Sequence, residues 1–223
     1  MNAVPVYRHR VELFEALYTT RAMRRVSPEP VADDVVDAML DAAIRAPSGG
    51  NSQNWRFMVV DDPEVRAALG PLYREAFETL QQTVYKRSWE RAKQTGDEAT
   101  LKVMRSSAWL AENFETVPLW LFVFSRNDPS GASIYPAVWS AMLAARAHGI
   151  GTCLTTILGI FKSAETFELL DVPTDKGWML NASVSCGHPM GRWDVAERAP
   201  AHEVAVHNRW GADLGREIGT RWG

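Results

Sequence analysis

Residues 116–126, TVPLWLFVFSR, are apolar at almost every position and rich in aromatic and branched side chains. A half-solvated strand alternates apolar with polar residues. A short run without that alternation is a strand buried at the centre of a sheet, and the rest of the chain must supply the cover. WRFMVV (55–60), TCLTTI (152–157) and WMLNASVSCGHP (178–189) read as the other strands, each bounded by Gly, Pro or Asp.

Helical patterns lie between these strands. In VADDVVDAMLDAAIRA (31–46), Val35, Val36, Met39, Leu40 and Ala43 share one face while Asp33, Asp34, Asp37 and Asp41 point away, and acids in the first turn suit the helix dipole. VELFEALYTT (11–20) has helical spacing and runs into a basic cluster. PEVRAALGPLYREAFETLQQTVYKRSWERAK (63–93) predicts one or two helices, and its polar continuation, about 83–101, reads as an excursion from the core. PAVWSAMLAARAHGIG (136–151) predicts a helix opened by Pro136 and closed by Gly149, with too many apolar positions to be solvated; a subunit contact is expected to bury it. Alternating strands and helices leave two classes open, α/β and α+β, each with a helix-covered sheet.

Bulk properties narrow the functional classes. At 223 residues with 46% hydrophobic and 23% charged, the chain is expected to be one domain with a sizeable core. The net charge of −3 and the lack of a long basic stretch argue against nucleic acid, and no apolar segment is long enough to span a bilayer. MNAVPVYRHRVELF shows no secretion signal, and Cys153 and Cys186, without a CxxC pair, read as buried thiols; a cytoplasmic location is expected. Nine tryptophans fit either core filling with a homo-oligomer contact or the aromatic walls of a flat-ligand site.

Familiar catalytic arrangements are missing: no GxSxG elbow, no Walker A loop, no HExxH, no metal-spaced Cys/His cluster. Three polar clusters remain. Arg21 and Arg24 in TTRAMRR would project from one side of a helix end or turn, suited to a phosphate or to solvent. The stretch APSGGNSQN (46–54) offers a short hydroxyl, bare backbone and amides at Ser48, Gly49 and Asn51, more polar groups than a helix-to-strand connection needs. TCLTTI places hydroxyls at a strand end, and Arg198 stands alone near the C-terminus.

In the order TTRAMRR, PEPV, AAIRAPSGGNSQNWRFMVV, SIYPAVWSAMLAARAHGIGTCLTT and GHPMGRWDVAERAP, from about Thr19 to Arg209, the chain resembles the FMN-dependent nitroreductase family. The resemblance implies an α+β fold, a mixed sheet flanked by helices, in an interlocked homodimer with FMN sites at the interface. It implies that Arg21, Ala22, Met23 and Arg24 hold the phosphate and ribityl chain from one subunit, with Arg198 on the same phosphate. Pro47, Ser48, Gly49 and Asn51 would approach the flavin from the other subunit. Leu154, Thr155 and Thr156 would lie beside the ring, Thr156 nearest N5 and the one residue given a catalytic contact. No metal is implied. NADH or NADPH would donate hydride in a ping-pong reaction, and a small-molecule acceptor such as a nitroaromatic or quinone would receive it.

The resemblance also admits reductive dehalogenation, flavin fragmentation, or flavin binding without turnover. The chain departs from the family pattern at Thr20, where arginine or lysine is common, at Ala22, where serine is common, and at Asn54, where proline is usual. The segment from about 70 to 113 is expected to be a variable helical excursion on a single domain spanning 1–223.

Overall fold

The computed structural model describes residues 11–195 and 197–219. Residues 1–10, which carry most of the stretch read for a secretion signal, lie outside the described residues. In chain order the elements are α1 (Leu13–Thr19), α2 (Asp33–Ala43), β1 (Trp55–Val60), α3 (Pro63–Gln82), α4 (Lys86–Thr95), α5 (Glu98–Glu112), β2 (Leu119–Ser125), α6 (Ile134–Ala147), β3 (Gly151–Thr155), α7 (Ile157–Phe161), α8 (Ser163–Leu169), β4 (Met179–Gly187) and α9 (Ala201–Val204).

The strands form one sheet in the order β1-β2-β4-β3, and every neighbouring pair is antiparallel. A parallel bridge from Ala22 to Thr152, outside the named strands, lays the arginine segment along the outer edge of β3. The unbroken apolar run is β2, buried at all seven residues. Its side chains divide by strand alternation. Trp120, Phe122 and Phe124 enter the core shared with α3, α5, α7 and α8, and Leu119, Leu121 and Val123 enter the core shared with α2 and α6. Helices therefore cover both faces, and an antiparallel central strand reads as continuously apolar as a parallel one.

The apolarity of α6 has its cause inside the chain. Ala137, Val138, Ala141, Met142 and Ala145 are buried between the sheet and α2, which corrects the expectation that a subunit contact buries this helix. Tyr135 and Trp139 remain exposed on it. The helix starts at Ile134, ahead of Pro136, because the buried Asp128 carboxylate accepts the N–H groups of Ser133 and Ile134 and caps the first turn. Pro136 then occupies a first-turn position where a missing N–H costs nothing.

The 70–113 segment is helical apart from short turns at 83–85, 96–97 and 113. Its ends belong to the core: Tyr73, Ala76 and Phe77 of α3 and Leu110 and Ala111 of α5 are buried under the sheet. The part that stands out is α4 with the first half of α5. Gly96, at φ +68°, closes α4 in the left-handed conformation that glycine adopts without strain, and Asp97 caps α5.

Candidate functional site

Thr155 ends β3 at the sheet edge, and Thr156 turns the chain into α7. Leu154, Thr155 and Thr156 open into a cavity of about 780 Å³ between this strand end and helices α3, α4 and α5. One wall is apolar and aromatic: Phe77, Leu80, Val84, Tyr85, Trp89, Val103 and Leu110. Tyr85 and Trp89 stack with ring centroids 5.6 Å apart and planes 10° apart. At the strand end the lining turns polar, with Arg24, Tyr73, Thr155 and Thr156.

Arg24 reaches the cavity by a route the sequence pattern did not give. Helix α1 stops at Thr19, where the Thr19 and Thr20 hydroxyls donate to the carbonyls of Glu15 and Ala16 and Thr20 turns extended. The arginine segment then runs alongside β3, held by the Met23 N–H on the Thr152 carbonyl at 2.9 Å. Met23 is buried against Gly151, where a Cβ would lie 2.8 Å from the Met23 Cβ. Arg21 and Arg24 are therefore not neighbours on a helix end or turn. In extended chain, residues three apart point to opposite sides. Arg24 lines the cavity and donates to the Ser106 hydroxyl at 3.2 Å, while half-buried Arg21 makes no hydrogen bond or ion pair among the described residues. Ala22 is exposed at the bridge to β3.

Burial raises the thiol of Cys153 at the cavity floor above its ordinary range, with the Arg24 guanidinium pulling the other way. Burial likewise raises the Tyr73 phenol, with the neighbouring Thr155 side chain pulling the other way. Both groups stay neutral, so the fixed charge in the cavity lining is that of Arg24. Tyr73 was not among the residues singled out from sequence. Its signal was a phenol on the stripe Tyr73, Phe77, Leu80, Val84, whose helical spacing marks one face of α3 and its extension.

The loop 47–54 lies elsewhere. Pro47, Ser48 and Gly49 line a second, polar depression of about 460 Å³ with Asn54, Ser125, Arg126 and Asp128. Asn51 is exposed, its side-chain carbonyl accepting from Gln53 at 3.0 Å. Gly50, Asn51 and Gln53 all hold positive φ (58°, 52° and 49°), a concentration that an ordinary connection does not need and that recurs at binding loops. The Ser48 hydroxyl accepts the Gln53 N–H, and the Gly49 N–H donates to Ser133 on the approach to α6.

Loop 47–54 precedes β1, one edge of the sheet, whereas Thr155 ends β3, the opposite edge. Three strand spacings, about 14 Å, separate the edges before any offset along the strands. Within one chain the two groups of candidate residues are not one site. Arg198 is exposed, its guanidinium donating to the Glu197 carbonyl, and joins neither depression. Among the described residues no cluster of His, Cys, Asp or Glu could hold a metal ion, and no helix is long and apolar enough to cross a membrane.

The Nitroreductase family model matches residues 17–191. Among curated proteins, the chain is similar to 5,6-dimethylbenzimidazole synthase of Rhodobacter capsulatus, 29% identical over 195 residues covering 81% of this chain and 85% of that one. It is also similar to iodotyrosine deiodinase 1 of Rattus norvegicus, 31% identical over 115 residues, 52% of this chain and 37% of the rat protein. The match thus spans well under half of that mammalian relative. Among solved structures, an oxidized iodotyrosine deiodinase bound to FMN and 3-iodo-L-tyrosine shares the fold, with a TM-score of 0.70 at 22% identity over 90% of this chain and 100% of that one.

Proposed function

The chain belongs to the nitroreductase family, and from that premise we propose that it is an FMN-dependent oxidoreductase, working as a cytoplasmic homodimer with NADH or NADPH as donor and a flat, small-molecule acceptor. The observation that carries the reading is the cavity at the end of β3. A donor set of Arg24, Thr155 and Thr156 faces aromatic and aliphatic walls in a volume suited to a small ligand, about 780 Å³. A planar heterocycle with carbonyl and imine acceptors on one edge fits that division of polar and apolar lining.

When bound, FMN supplies the redox chemistry itself, a two-electron exchange between nicotinamide and acceptor. The chain's residues bind, orient and exclude water. Arg24 would hold positive charge at the ring's polar edge. Thr156 would present its hydroxyl or backbone N–H to N5, with Leu154 and Thr155 alongside. Arg21, with Ala22, Met23 and Arg198, would hold the ribityl and phosphate end, using guanidinium groups able to bind phosphate bidentately. Pro47, Ser48, Gly49 and Asn51 would come from the partner protomer, because in their own chain they sit at the opposite sheet edge. Phe14 and Leu17 of α1 and Trp210 near the C-terminus are exposed apolar side chains that a second copy would cover.

The relatives favour a second reading on the same site, reductive dehalogenation or flavin fragmentation. An acceptor panel against the reduced holoprotein separates the readings: rapid reoxidation by quinones and nitroaromatics supports the first, and turnover confined to halogenated aromatics supports the second. The assembly has its own test. Light scattering should give twice the chain mass at low micromolar concentration, with one FMN per chain released on denaturation; a monomer that retains FMN contradicts the shared site.

Thr156→Val keeps the shape of the side chain and removes the hydroxyl. The expected result is nearly unchanged FMN affinity with a potential lower by about 10–30 mV, the equivalent of one modest hydrogen bond to the reduced form. A spectroelectrochemical titration reads this directly. Lost affinity with an unchanged potential would make Thr156 a structural contact instead.

A further inference from the structure

Arg146 projects from α6, a helix otherwise buried through alanine, valine and methionine, and is itself only 5% exposed. A guanidinium stays charged in any folded protein, and burying one costs more than burying a leucine unless its donors are taken up. Here the guanidinium is engaged by two separate parts of the chain. Nε donates to the Thr19 hydroxyl at 2.9 Å and Nη2 to the Glu15 carboxylate at 3.1 Å, both on α1. The guanidinium carbon lies 4.2 Å from the centroid of the Trp193 ring, a cation–π contact to the C-terminal segment.

Two of the partners, Thr19 and Trp193, precede arginines that the proposed function gives to the cofactor phosphate, by two and five residues. Thr19 is the last residue of α1, Thr20 is buried with its hydroxyl on the Ala16 carbonyl, and Arg21 follows. On its other side Arg21 is followed by the anchor of Met23 on Thr152. Arg21 is thus held between the Arg146 contact and the edge of β3. Trp193 stands on the segment leading to Arg198. One buried side chain thus touches the end of α1, two residues before Arg21, and Trp193, five residues before Arg198.

We propose that Arg146 is a positioning residue for the phosphate end of the cofactor site, touching no cofactor itself and setting the places of the Arg21 and Arg198 segments. This rests on the reading of the site as an FMN site. If so, its loss should affect the phosphate-bearing flavin selectively, since riboflavin has the ring and ribityl chain without the phosphate. A role in stability alone would change both affinities together.

The test titrates the apoprotein with FMN and, separately, riboflavin, following flavin fluorescence for wild type, Arg146→Lys, Thr19→Val and Trp193→Leu. Lysine keeps the charge and loses both the fork and the planar stacking surface. Arg146→Lys should bind FMN about tenfold more weakly, with riboflavin affinity changed less than about twofold. Thr19→Val and Trp193→Leu should each shift the FMN-to-riboflavin ratio in the same direction by less. Should Arg146→Lys fail to fold, these two variants decide, since neither leaves the guanidinium without a partner. Equal losses for both flavins, or an unchanged ratio in every folded variant, overturn the proposal while wild type still prefers FMN. A wild-type protein that binds neither flavin overturns the functional reading and this proposal with it.

Discussion

Arg21→Ala is expected to bind FMN about ten- to hundredfold more weakly than wild type, the loss of a charge-assisted contact worth about 1.5–3 kcal/mol. The size of the effect follows from the surroundings of the side chain. The Arg21 side chain has no hydrogen bond or ion pair among the described residues, so its removal breaks no internal polar contact, and the extended segment around it is held by the backbone bond of Met23 to Thr152. Apoprotein stability should therefore stay close to wild type while FMN affinity falls. Fluorescence titration gives the affinity and urea denaturation the stability. Unchanged FMN affinity in a folded Arg21→Ala protein would remove this residue from the phosphate site.

Trp120→Ala should destabilise the fold by about 3–5 kcal/mol, the range for truncating a large aromatic in a core. Trp120 is fully buried in the central strand, stacks on Phe114 with centroids 4.2 Å apart and packs against Tyr73 at 5.6 Å. Its indole N–H donates to the Phe114 carbonyl, which would be left buried without that donor. The consequence reaches the site, because Tyr73, packed on Trp120, lines the cavity together with Thr155. Urea denaturation should show the loss, and the surviving folded fraction should bind FMN less well than wild type. A stability change below about 1 kcal/mol would show that the neighbours close over the space.

The central strand was legible because its cause is local: seven consecutive buried residues leave an apolar run with no alternation. The amphipathic face of α2 and the polar loop before β1 were legible for the same reason, each being a pattern within a short window. The path of the arginine segment was not. TTRAMRR carries two arginines at helical spacing, and what makes it extended is distant in sequence, the Thr152 carbonyl and the space over Gly151 that admits Met23. The burial of α6 was read correctly, but not its cause, since apolar positions do not say whether the sheet, another helix or another chain covers them. Tyr73 and Arg146 escaped notice because a single polar residue on an apolar stripe acquires meaning only from its tertiary neighbours. Sheet order is likewise invisible locally, and it is the order β1-β2-β4-β3 that puts the loop and the Thr155 end on opposite edges.

The central claim, a flavin site that turns over with a nicotinamide donor, has a direct test. The FMN-loaded protein is mixed anaerobically with NADH, and in a second run with NADPH, while the visible flavin absorbance is followed by stopped flow. The account predicts full bleaching by at least one of the two, saturating with nucleotide concentration, and recovery of the absorbance when a quinone or nitroaromatic is added. A yellow protein whose colour neither nucleotide bleaches, though dithionite does, would contradict it.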